Sequence, residues 1–204
     1  TGRTGRLVVE QALDDGRVVT AVVRDPSKLA LRNDMLSVVR ADVMIAGQLK
    51  GAVDGADAVL VALGATSRKD TSRIQSIGTA AVIEAMTAVG ARRLEVISAA
   101  PVAEVGPTDK LVYQWLARPL LRAVFRDAYA DMATMERAIE KSDLDWTVFR
   151  PPQLLDRPRT GKYRVNAGSN VPGGYRIGRA DLADAMLAAI DDKSTFRQFL
   201  GVAY

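Results

Sequence analysis

The sequence predicts an α/β protein built on a doubly wound parallel sheet, that is, a sheet with helices packed on both faces. Two patterns lead to this prediction. Short apolar runs rich in β-branched residues alternate with amphipathic, helix-length segments along nearly the whole chain. Such alternation is typical of strand–helix–strand units, whose strands are parallel. The chain also opens with Gly2 and Gly5, which lead at once into an apolar-periodic segment.

Each predicted element has its own local signals. Apolar runs that end at Gly, Pro or a charged residue predict strands. These strands span residues 18–23, 36–41, 58–63, 94–97, 146–149 and 196–200. The predicted helices span residues 6–15, 48–53, 71–89, 110–125, 128–142 and 179–190. Gly16 and Gly90 are placed to end two of these helices. Asp25 and Pro26 are expected to begin one more, because Asp favours the N-cap and Pro the first helical position.

Residues 160–177 differ in composition from the rest of the chain. They are rich in Gly, Asn and Tyr, which predicts hairpin-like structure outside the main sheet. Neither an internal repeat nor a long linker divides the sequence. We therefore expect one domain over residues 1–204, with a small substrate-side region around residues 151–178.

Composition excludes several classes of function. Without cysteine there is no disulfide framework and no thiol nucleophile, and without histidine the usual imidazole base and zinc ligands are missing. No metal site is therefore predicted. The net charge of +4 is scattered, so we expect no nucleic-acid partner. No apolar run approaches the roughly 20 residues that span a bilayer, and we expect a cytoplasmic protein without a membrane partner.

The opening hexapeptide, residues 1–6, is the most informative single motif. A helix that begins directly after glycines presents unpaired N–H groups and a partial positive charge, which together favour a phosphate. Glycine also lets a pyrophosphate approach the backbone closely. The alternative interpretation is an ordinary loop-to-helix turn. The residues concerned are Thr1, Gly2, Arg3, Thr4 and Gly5.

A dinucleotide-binding fold of the Rossmann type has a buried strand before its glycine loop. Here the sequence begins inside the loop, with neither a Met nor a strand before it. A doubly wound sheet without its central strand would leave apolar edges unpaired. We therefore expect the sequence to be a truncated record of a longer chain whose first strand is missing.

The carboxyl ends of the predicted strands should line one crevice, where ligands bind in sheets of this kind. Arg24 ends the first predicted strand, at the position about 20 residues past the glycines that is usually acidic in NAD-binding folds. Arg24 and Lys28 would instead pair with a 2′-phosphate, which favours NADP(H) over NAD(H) as cofactor. Two alternatives stay open: both cations are solvated surface charges, or Asp25 contacts the ribose.

Three further strand ends supply candidates, each with a structural alternative. Asp42 can accept a hydrogen bond from an adenine amino group, or it can be a turn or N-cap residue. Leu63 and Gly64 would let the backbone approach the cofactor, although glycine is also an ordinary exit from a buried strand. Ser98 lies where the nicotinamide is expected and can orient a carbonyl or a carboxamide, although serine is common at strand ends.

These motifs occur together, in this order, in a known family. The segments concerned are residues 1–6, 23–29, 41–43, 61–64, 96–98, 147–152 and 179–183. They resemble the atypical short-chain dehydrogenases/reductases of the NAD(P)H-binding, NmrA-like type, and among these the flavin reductase/biliverdin-IXβ reductase proteins. The resemblance covers nearly the whole chain. It is specific to the superfamily and much less specific to a substrate.

The resemblance implies a cofactor contact for each candidate, and a substrate lid that includes residues 160–177. Residues 2–5 would contact the pyrophosphate, Arg24 with Lys28 the 2′-phosphate, and Asp42 with Val43 the adenine. Ala62, Leu63 and Gly64 would pass along the ribose and the nicotinamide, and Ser98, Pro152 and Gln153 would border the nicotinamide.

One departure from the superfamily concerns proton transfer. Many members use Tyr-x-x-x-Lys, in which the lysine lowers the pKa of the tyrosine. The corresponding candidate is Tyr129, where Ala133 replaces the lysine and Asp131 adds a carboxylate. A nearby anion raises the pKa of a tyrosine, so we expect Tyr129 to be a poor general acid. The alternative is an aromatic side chain that packs on the sheet.

The chain is therefore expected to be an NADPH-dependent oxidoreductase that transfers hydride to a flavin or a similar conjugated acceptor. Such a transfer needs positioning more than a proton donor, because water can supply the proton. The main alternative is a non-catalytic, NmrA-like sensor of NADP(H). A sugar-nucleotide epimerase or dehydratase is disfavoured by the missing Tyr–Lys pair. The expected partner is a small-molecule acceptor, and the chain is expected to be a monomer or a homodimer.

Overall fold

A computed structural model describes residues 2–65, 70–103 and 125–204 of the chain. The strands are β1 (Val19–Val23), β2 (Leu36–Arg40), β3 (Val59–Val61), β4 (Arg93–Ile97), β5 (Asp145–Arg150), β6 (Gln153–Leu155), β7 (Arg164–Ala167), β8 (Arg176–Gly178) and β9 (Gln198–Ala203). The helices are α1 (Arg3–Asp14), α2 (Lys50–Val53), α3 (Ile74–Val89), α4 (Arg126–Glu140) and α5 (Arg179–Ala189). Short 3₁₀ turns lie at Pro26–Lys28, Ala46–Gln48, Ala100–Val102 and Lys193–Thr195.

The strands form one large sheet and two parallel pairs. The large sheet has the order β3-β4-β5-β9-β7, and β7 alone runs antiparallel to its neighbour. The pairs are β1 with β2 and β6 with β8. The predicted α/β fold with a mostly parallel central sheet is therefore confirmed. Within the described ranges, no strand pairs with both β1 and β3.

Two apolar cores lie on opposite faces of the large sheet, as expected for a doubly wound fold. Strand β5 contributes to both, because successive side chains of a strand point to opposite faces: Val148 packs in one core and Phe149 in the other. Helices α3 and α4 cover the first face, with Val82, Met86, Met135 and Ile139. Helices α1 and α5 cover the second, with Val8, Ala12, Leu182 and Met186.

The ends of the helices follow the predicted glycines. Helix α1 stops before Gly16 and helix α3 before Gly90, and both glycines adopt positive φ values of 75° and 78°. A residue with a Cβ is strained in that conformation, so glycine marks the end of each helix. Helix α1 begins at Arg3, three residues earlier than predicted. Its first turn uses the polar loop residues, which apolar periodicity does not detect.

The segment after β1 differs from the prediction. Asp25 does accept a hydrogen bond from the Ser27 N–H, at 3.1 Å, as an N-cap should. The helix that follows, however, is a single 3₁₀ turn at Pro26–Lys28. A 3₁₀ turn of this length satisfies the cap without the amphipathic face that a longer helix needs to bury.

Residues 160–177 are not a hairpin outside the main sheet, and that prediction is wrong. Strand β7 pairs with β9 and forms the antiparallel edge of the large sheet, while β8 pairs in parallel with β6. The last strand was expected to end at residue 200, but β9 extends to Ala203. The added length gives β7 a partner, since its register runs from Arg164 opposite Ala203 to Ala167 opposite Leu200.

The helix predicted over residues 110–125 lies almost entirely outside the described residues. Across the parts of the chain that the structure describes, no helix has the length and apolar character that a membrane crossing requires.

Candidate functional site

The start of α1 has the features of an anion site. Gly2 is its N-cap in an extended conformation, with φ −69° and ψ 157°, and no side chain caps the helix. The first turn contains no acidic residue, and the space around Gly2 is open on the side where a Cβ would stand. The first N–H groups of α1 are therefore available to a phosphate. Thr1, the first predicted contact, lies outside the described residues.

Gly5 holds this loop against the end of β3. A Cβ on Gly5 would lie 3.4 Å from the Cβ of Ala62, at the near limit of ordinary van der Waals contact. The start of α1 therefore packs closely on the end of β3. Two segments that sequence analysis assigned to the cofactor are brought together here.

Of the two cations predicted to read a 2′-phosphate, only Arg24 is unengaged. Arg24 is exposed at the end of β1 and has no hydrogen bond or ion pair with any described residue. Lys28 lies 3.7 Å from the carboxylate of Asp25. Hydrogen bonding from Ser27, together with the charge of Lys28, lowers the pKa of Asp25. Asp25 is therefore ionised and committed to this turn, which leaves Arg24 as the free cation of the pair.

The segments after β2 and β3 meet over Gly78 of α3. A Cβ on Gly78 would lie 2.8 Å from the Leu63 side chain and 3.3 Å from that of Val43. Asp42 closes its own turn, accepting from the Met44 N–H at 3.0 Å while its N–H donates to Gln48 at 2.8 Å. Val43 and Leu63 are thus neighbours. Asp42 acts as a turn residue with one further carboxylate oxygen at the edge of the site.

Ser98 is the buried polar group at the end of β4. Its residue is 3% exposed, and its N–H donates to the carbonyl of Phe149 at 2.7 Å. Its hydroxyl oxygen has no hydrogen-bond partner among the described residues. A buried hydroxyl without a partner costs free energy, and a bound ligand would relieve that cost.

The end of β5 lies beside Ser98. The Ala100 N–H donates to the carbonyl of Pro151 at 2.9 Å, which joins the two segments. Pro152 is half-buried and Gln153 exposed. The backbone of Gln153 is fixed in β6, where its N–H donates to the carbonyl of Tyr175 at 3.2 Å.

Tyr129 lies on α4 in an aromatic setting. It is half-buried, and its ring centroid is 5.9 Å from that of Phe125. The carboxylate of Asp131 is turned away to α3, where it accepts from the Gln75 N–H at 3.0 Å. The Tyr129 role therefore remains a prediction, while Asp131 has a structural task that the sequence did not reveal.

Two other tyrosines donate to carboxylates of α5. The hydroxyl of Tyr163 donates to Asp184 at 2.8 Å, and that of Tyr204 donates to Asp181 at 2.7 Å. Burial and these hydrogen bonds raise the pKa of both tyrosines. Neither tyrosine is poised to release a proton near neutral pH.

Asp181 organises the segment that precedes β7. It accepts from the Thr160 and Gly161 N–H groups at 2.6 and 2.9 Å. Burial alone would raise the pKa of Asp181, but the hydrogen bonds from Thr160, Tyr204 and Gly161 outweigh it and lower that pKa. These contacts anchor the start of the segment that leads into β7.

Three interactions around the site escaped the sequence analysis. Asp156 binds two arginines, Asp131 caps α3, and Glu136 pairs with Arg150 through two contacts of 3.0 and 2.7 Å. Each acidic residue looks like a surface charge in sequence. Of the three, only Asp131 was singled out in the sequence, because it lies close to Tyr129. Its partners on α3 could not be inferred from that position.

A cleft of about 320 Å³ opens just past β3, between the first turns of α3 and α4. Its walls include the backbone at Ala65 and the charged side chains of Arg73 and Asp127. The volume is at the lower end of the range for small-molecule sites.

Three features at helix and strand ends suit the parts of a dinucleotide. The open start of α1 suits a pyrophosphate, free Arg24 suits a further phosphate, and the unpartnered hydroxyl of Ser98 suits a polar group such as a carboxamide.

Comparison with known proteins agrees with this geometry. A family model described as NAD(P)H-binding matches residues 1–193. A chloroplastic protein of uncharacterised function from Arabidopsis thaliana is 29% identical over 97% of this chain and 72% of its own length. A short-chain dehydrogenase/reductase of Veillonella parvula, solved in complex with NADP, is 15% identical with a TM-score of 0.81 over 100% of this chain and 90% of its own. An anaerobillin reductase from Escherichia coli O157:H7 is 21% identical with a TM-score of 0.77, over 100% and 92% of the two chains.

Proposed function

Because this chain belongs to the NAD(P)H-binding family, we propose that it is an NADPH-dependent oxidoreductase that transfers hydride to a flavin or a similar conjugated acceptor. The observation that carries the proposal is the unpartnered, buried hydroxyl of Ser98 at the end of β4. It lies on the strand end where the nicotinamide of a dinucleotide is expected.

The preference for NADPH rests on Arg24. An exposed guanidinium with no described partner, at the end of β1, can take a 2′-phosphate through two parallel hydrogen bonds. An acidic residue there would instead favour the free hydroxyl of NADH. The Veillonella parvula structure in complex with NADP supports the same choice.

The chemistry needs little from ionisable side chains. Bound NADPH supplies the hydride, and the acceptor takes that hydride together with a proton from water. The chain itself would hold the phosphates at the start of α1 and orient the carboxamide with Ser98. It would admit the acceptor at the carboxyl edge of the sheet, near the cleft beside Ala65.

The tyrosines support the proposed class of acceptor. Tyr163 and Tyr204 are tied to carboxylates, and Tyr129 lacks the lysine that would make it acidic. A simple ketone needs a proton donor at its oxygen, whereas a flavin or other conjugated ring can be protonated by water after hydride transfer. The anaerobillin reductase from E. coli, a reductase with the same fold, fits a conjugated acceptor.

A single assay separates this activity from the main alternative, a non-catalytic sensor of NADP(H). Purified protein is mixed with NADPH and an excess of riboflavin or FMN, and the nicotinamide absorbance is followed. We expect its loss to depend on both protein and acceptor, and to be slower with NADH. Tight NADPH binding without oxidation, across a panel of flavins and quinones, would establish the sensor instead.

A further inference from the structure

One carboxylate joins the starts of two helices beside the candidate phosphate site. The Oδ2 atom of Asp156 lies 2.7 Å from a guanidinium nitrogen of Arg3, and its Oδ1 atom lies 2.6 Å from one of Arg179. Arg3 is the first residue of α1, and Arg179 is the first residue of α5. Asp156 therefore bridges two cations, each attached to a helix N-terminus.

The two helix starts differ in their own acidic residues. Helix α5 carries Asp181 in its first turn, whereas α1 has no acidic residue there and no side-chain cap. Asp156 is thus the anion that α1 receives from another part of the chain. A carboxylate on the Arg3 guanidinium carries the negative charge of a phosphate oxygen and accepts the same charge-assisted hydrogen bond.

The segment that carries Asp156 does not depend on this bridge for its position. A few residues further on, Thr160 and Gly161 are bound by Asp181, and Arg159 pairs with Asp184. Asp156 itself is 62% exposed. The Arg3 side chain is 71% exposed, and an ion pair exposed on both sides contributes little to folding stability, so the contact with Arg3 is not needed to hold the segment in place.

We propose that Asp156 is an internal competitor for the dinucleotide phosphate: its carboxylate engages Arg3 and lowers the affinity of the α1 start for NADP(H). The inference rests on the proposed cofactor. Binding of the pyrophosphate would draw Arg3 away from Asp156, and Arg179, only 13% exposed, would keep the carboxylate at the rim of the site. Affinity for the cofactor is then set by a residue outside the glycine loop.

The test is the dissociation constant of NADP⁺, measured by calorimetry on the 204-residue chain and on Asp156→Asn. We expect binding to tighten about threefold to fivefold, the range that an exposed ion pair commands. The gain should shrink as salt is added, because the charges are exposed. In an Arg3→Gln background the same substitution should give no gain, since the competition acts through Arg3.

Asp191→Asn is the matched control. Asp191 pairs with Arg17 at the opposite end of the same two helices, at 3.6 Å, and its substitution changes the net charge equally. An equal gain in affinity for Asp191→Asn would show that net charge alone causes the effect, and it would overturn the proposal. Unchanged or weaker binding by Asp156→Asn would also overturn it. Loss of the thermal unfolding transition in Asp156→Asn would overturn it as well, because the carboxylate would then serve the fold through Arg179. Failure of the unsubstituted chain to bind either NADP⁺ or NAD⁺ would refute the proposed function itself.

Discussion

The buried carboxylate of Asp131 accepts hydrogen bonds from both the backbone N–H and the hydroxyl of Ser76, although the two residues belong to different helices. The Gln75 N–H donates to it as well, at 3.0 Å. The residue in the N-cap position of α3, Arg73, adopts φ 53° and offers no side-chain cap. Asp131 of α4 therefore caps α3 from outside, and fixes both helices beside the cleft.

Removal of this cap should destabilise the fold. Asp131→Ala leaves two buried N–H groups unpaired and the Ser76 hydroxyl with only its long contact to the Arg73 carbonyl, at 3.4 Å, so we expect the free energy of unfolding to fall by about 2–3 kcal/mol. Chemical denaturation measures this change in the free energy of unfolding. Glu140→Ala, an exposed position on the same helix, should change stability by less than about 0.5 kcal/mol. Equal losses in the two variants would contradict the role of Asp131.

Arg24 should control the choice of cofactor. We expect Arg24→Ala to weaken NADPH binding by about 1.5–3 kcal/mol, because a charge-assisted contact is lost, and to leave NADH binding almost unchanged. The dissociation constants of NADPH and NADH, measured for each protein, test this prediction. Arg17 lies just before β1, as Arg24 lies just after it, so Arg17→Ala is the control. It should leave the affinity for both nucleotides unchanged. An equal loss for NADPH and NADH in Arg24→Ala would show that Arg24 does not read the 2′-phosphate.

Ser98 should act on the rate of hydride transfer. If its hydroxyl orients the nicotinamide carboxamide, Ser98→Ala should lower kcat about tenfold, the value of one net hydrogen bond. The folding stability should not fall, because the hydroxyl has no partner among the described residues to lose. Steady-state kinetics and thermal unfolding together test this. A variant with full kcat would remove Ser98 from the mechanism.

The buried pair between Glu136 and Arg150 should be costly to break on one side. The side chains are only 6% and 12% exposed, and the guanidinium also stacks on Phe199 at 3.8 Å. We expect Glu136→Ala to destabilise the protein by about 3–5 kcal/mol, because a buried charge is left alone. Glu136→Leu combined with Arg150→Met should cost less than Glu136→Ala does.

The control for this pair lies at the other end of β5. Arg92 is exposed and pairs with Asp145 at 3.0 Å, so Arg92→Met should cost much less stability than Glu136→Ala does. If the single and double variants of the buried pair lose the same stability, desolvation of an unpaired charge is not the cause.

Glu95 should make stability depend on pH. Burial raises the pKa of Glu95 to about 8, against the opposing effect of its ion pair with Arg93. The folded state then binds the proton more tightly than the unfolded chain, so this group lowers the free energy of unfolding as the pH rises from about 4.5 to about 8. Thermal unfolding measured between about pH 4.5 and about pH 8 should show a shallower fall in stability for Glu95→Gln than for the unsubstituted protein. Glu84→Gln, an exposed position on α3, should keep the slope of the unsubstituted protein.

Local signals in the sequence were enough to predict where several strands end. Arg24, Gly64 and Ser98 each follow an apolar run, and β1, β3 and β4 end within three residues before them. Gly90 was likewise predictable as a helix end, because positive φ favours glycine. These features depend on neighbouring residues alone.

Interactions between distant residues could not be predicted in this way. Asp131 and Gln75 are 56 residues apart, and Arg3 and Asp156 are 153 apart. An acidic residue that caps another helix has no periodicity of its own, so in sequence it looks solvated. The antiparallel pairing of β7 was missed for the same reason, since it depends on how far β9 continues.

The two ends of strand β4 lie in very different environments, although Glu95 and Ser98 are only three residues apart. At its amino end Glu95 and Arg93 are locked in a buried network that ties β4 to Thr147, Thr195 and the end of α5. At its carboxyl end Ser98 is followed by Ala100, whose carbonyl accepts from the Asn170 side chain and from the Ala103 N–H, both at 3.2 Å. Among the described residues the two environments share no hydrogen bond. Libraries at the half-buried or exposed positions 99, 102, 169 and 170 would therefore vary the edge assigned to the proposed acceptor while the Arg93–Glu95 network stays intact.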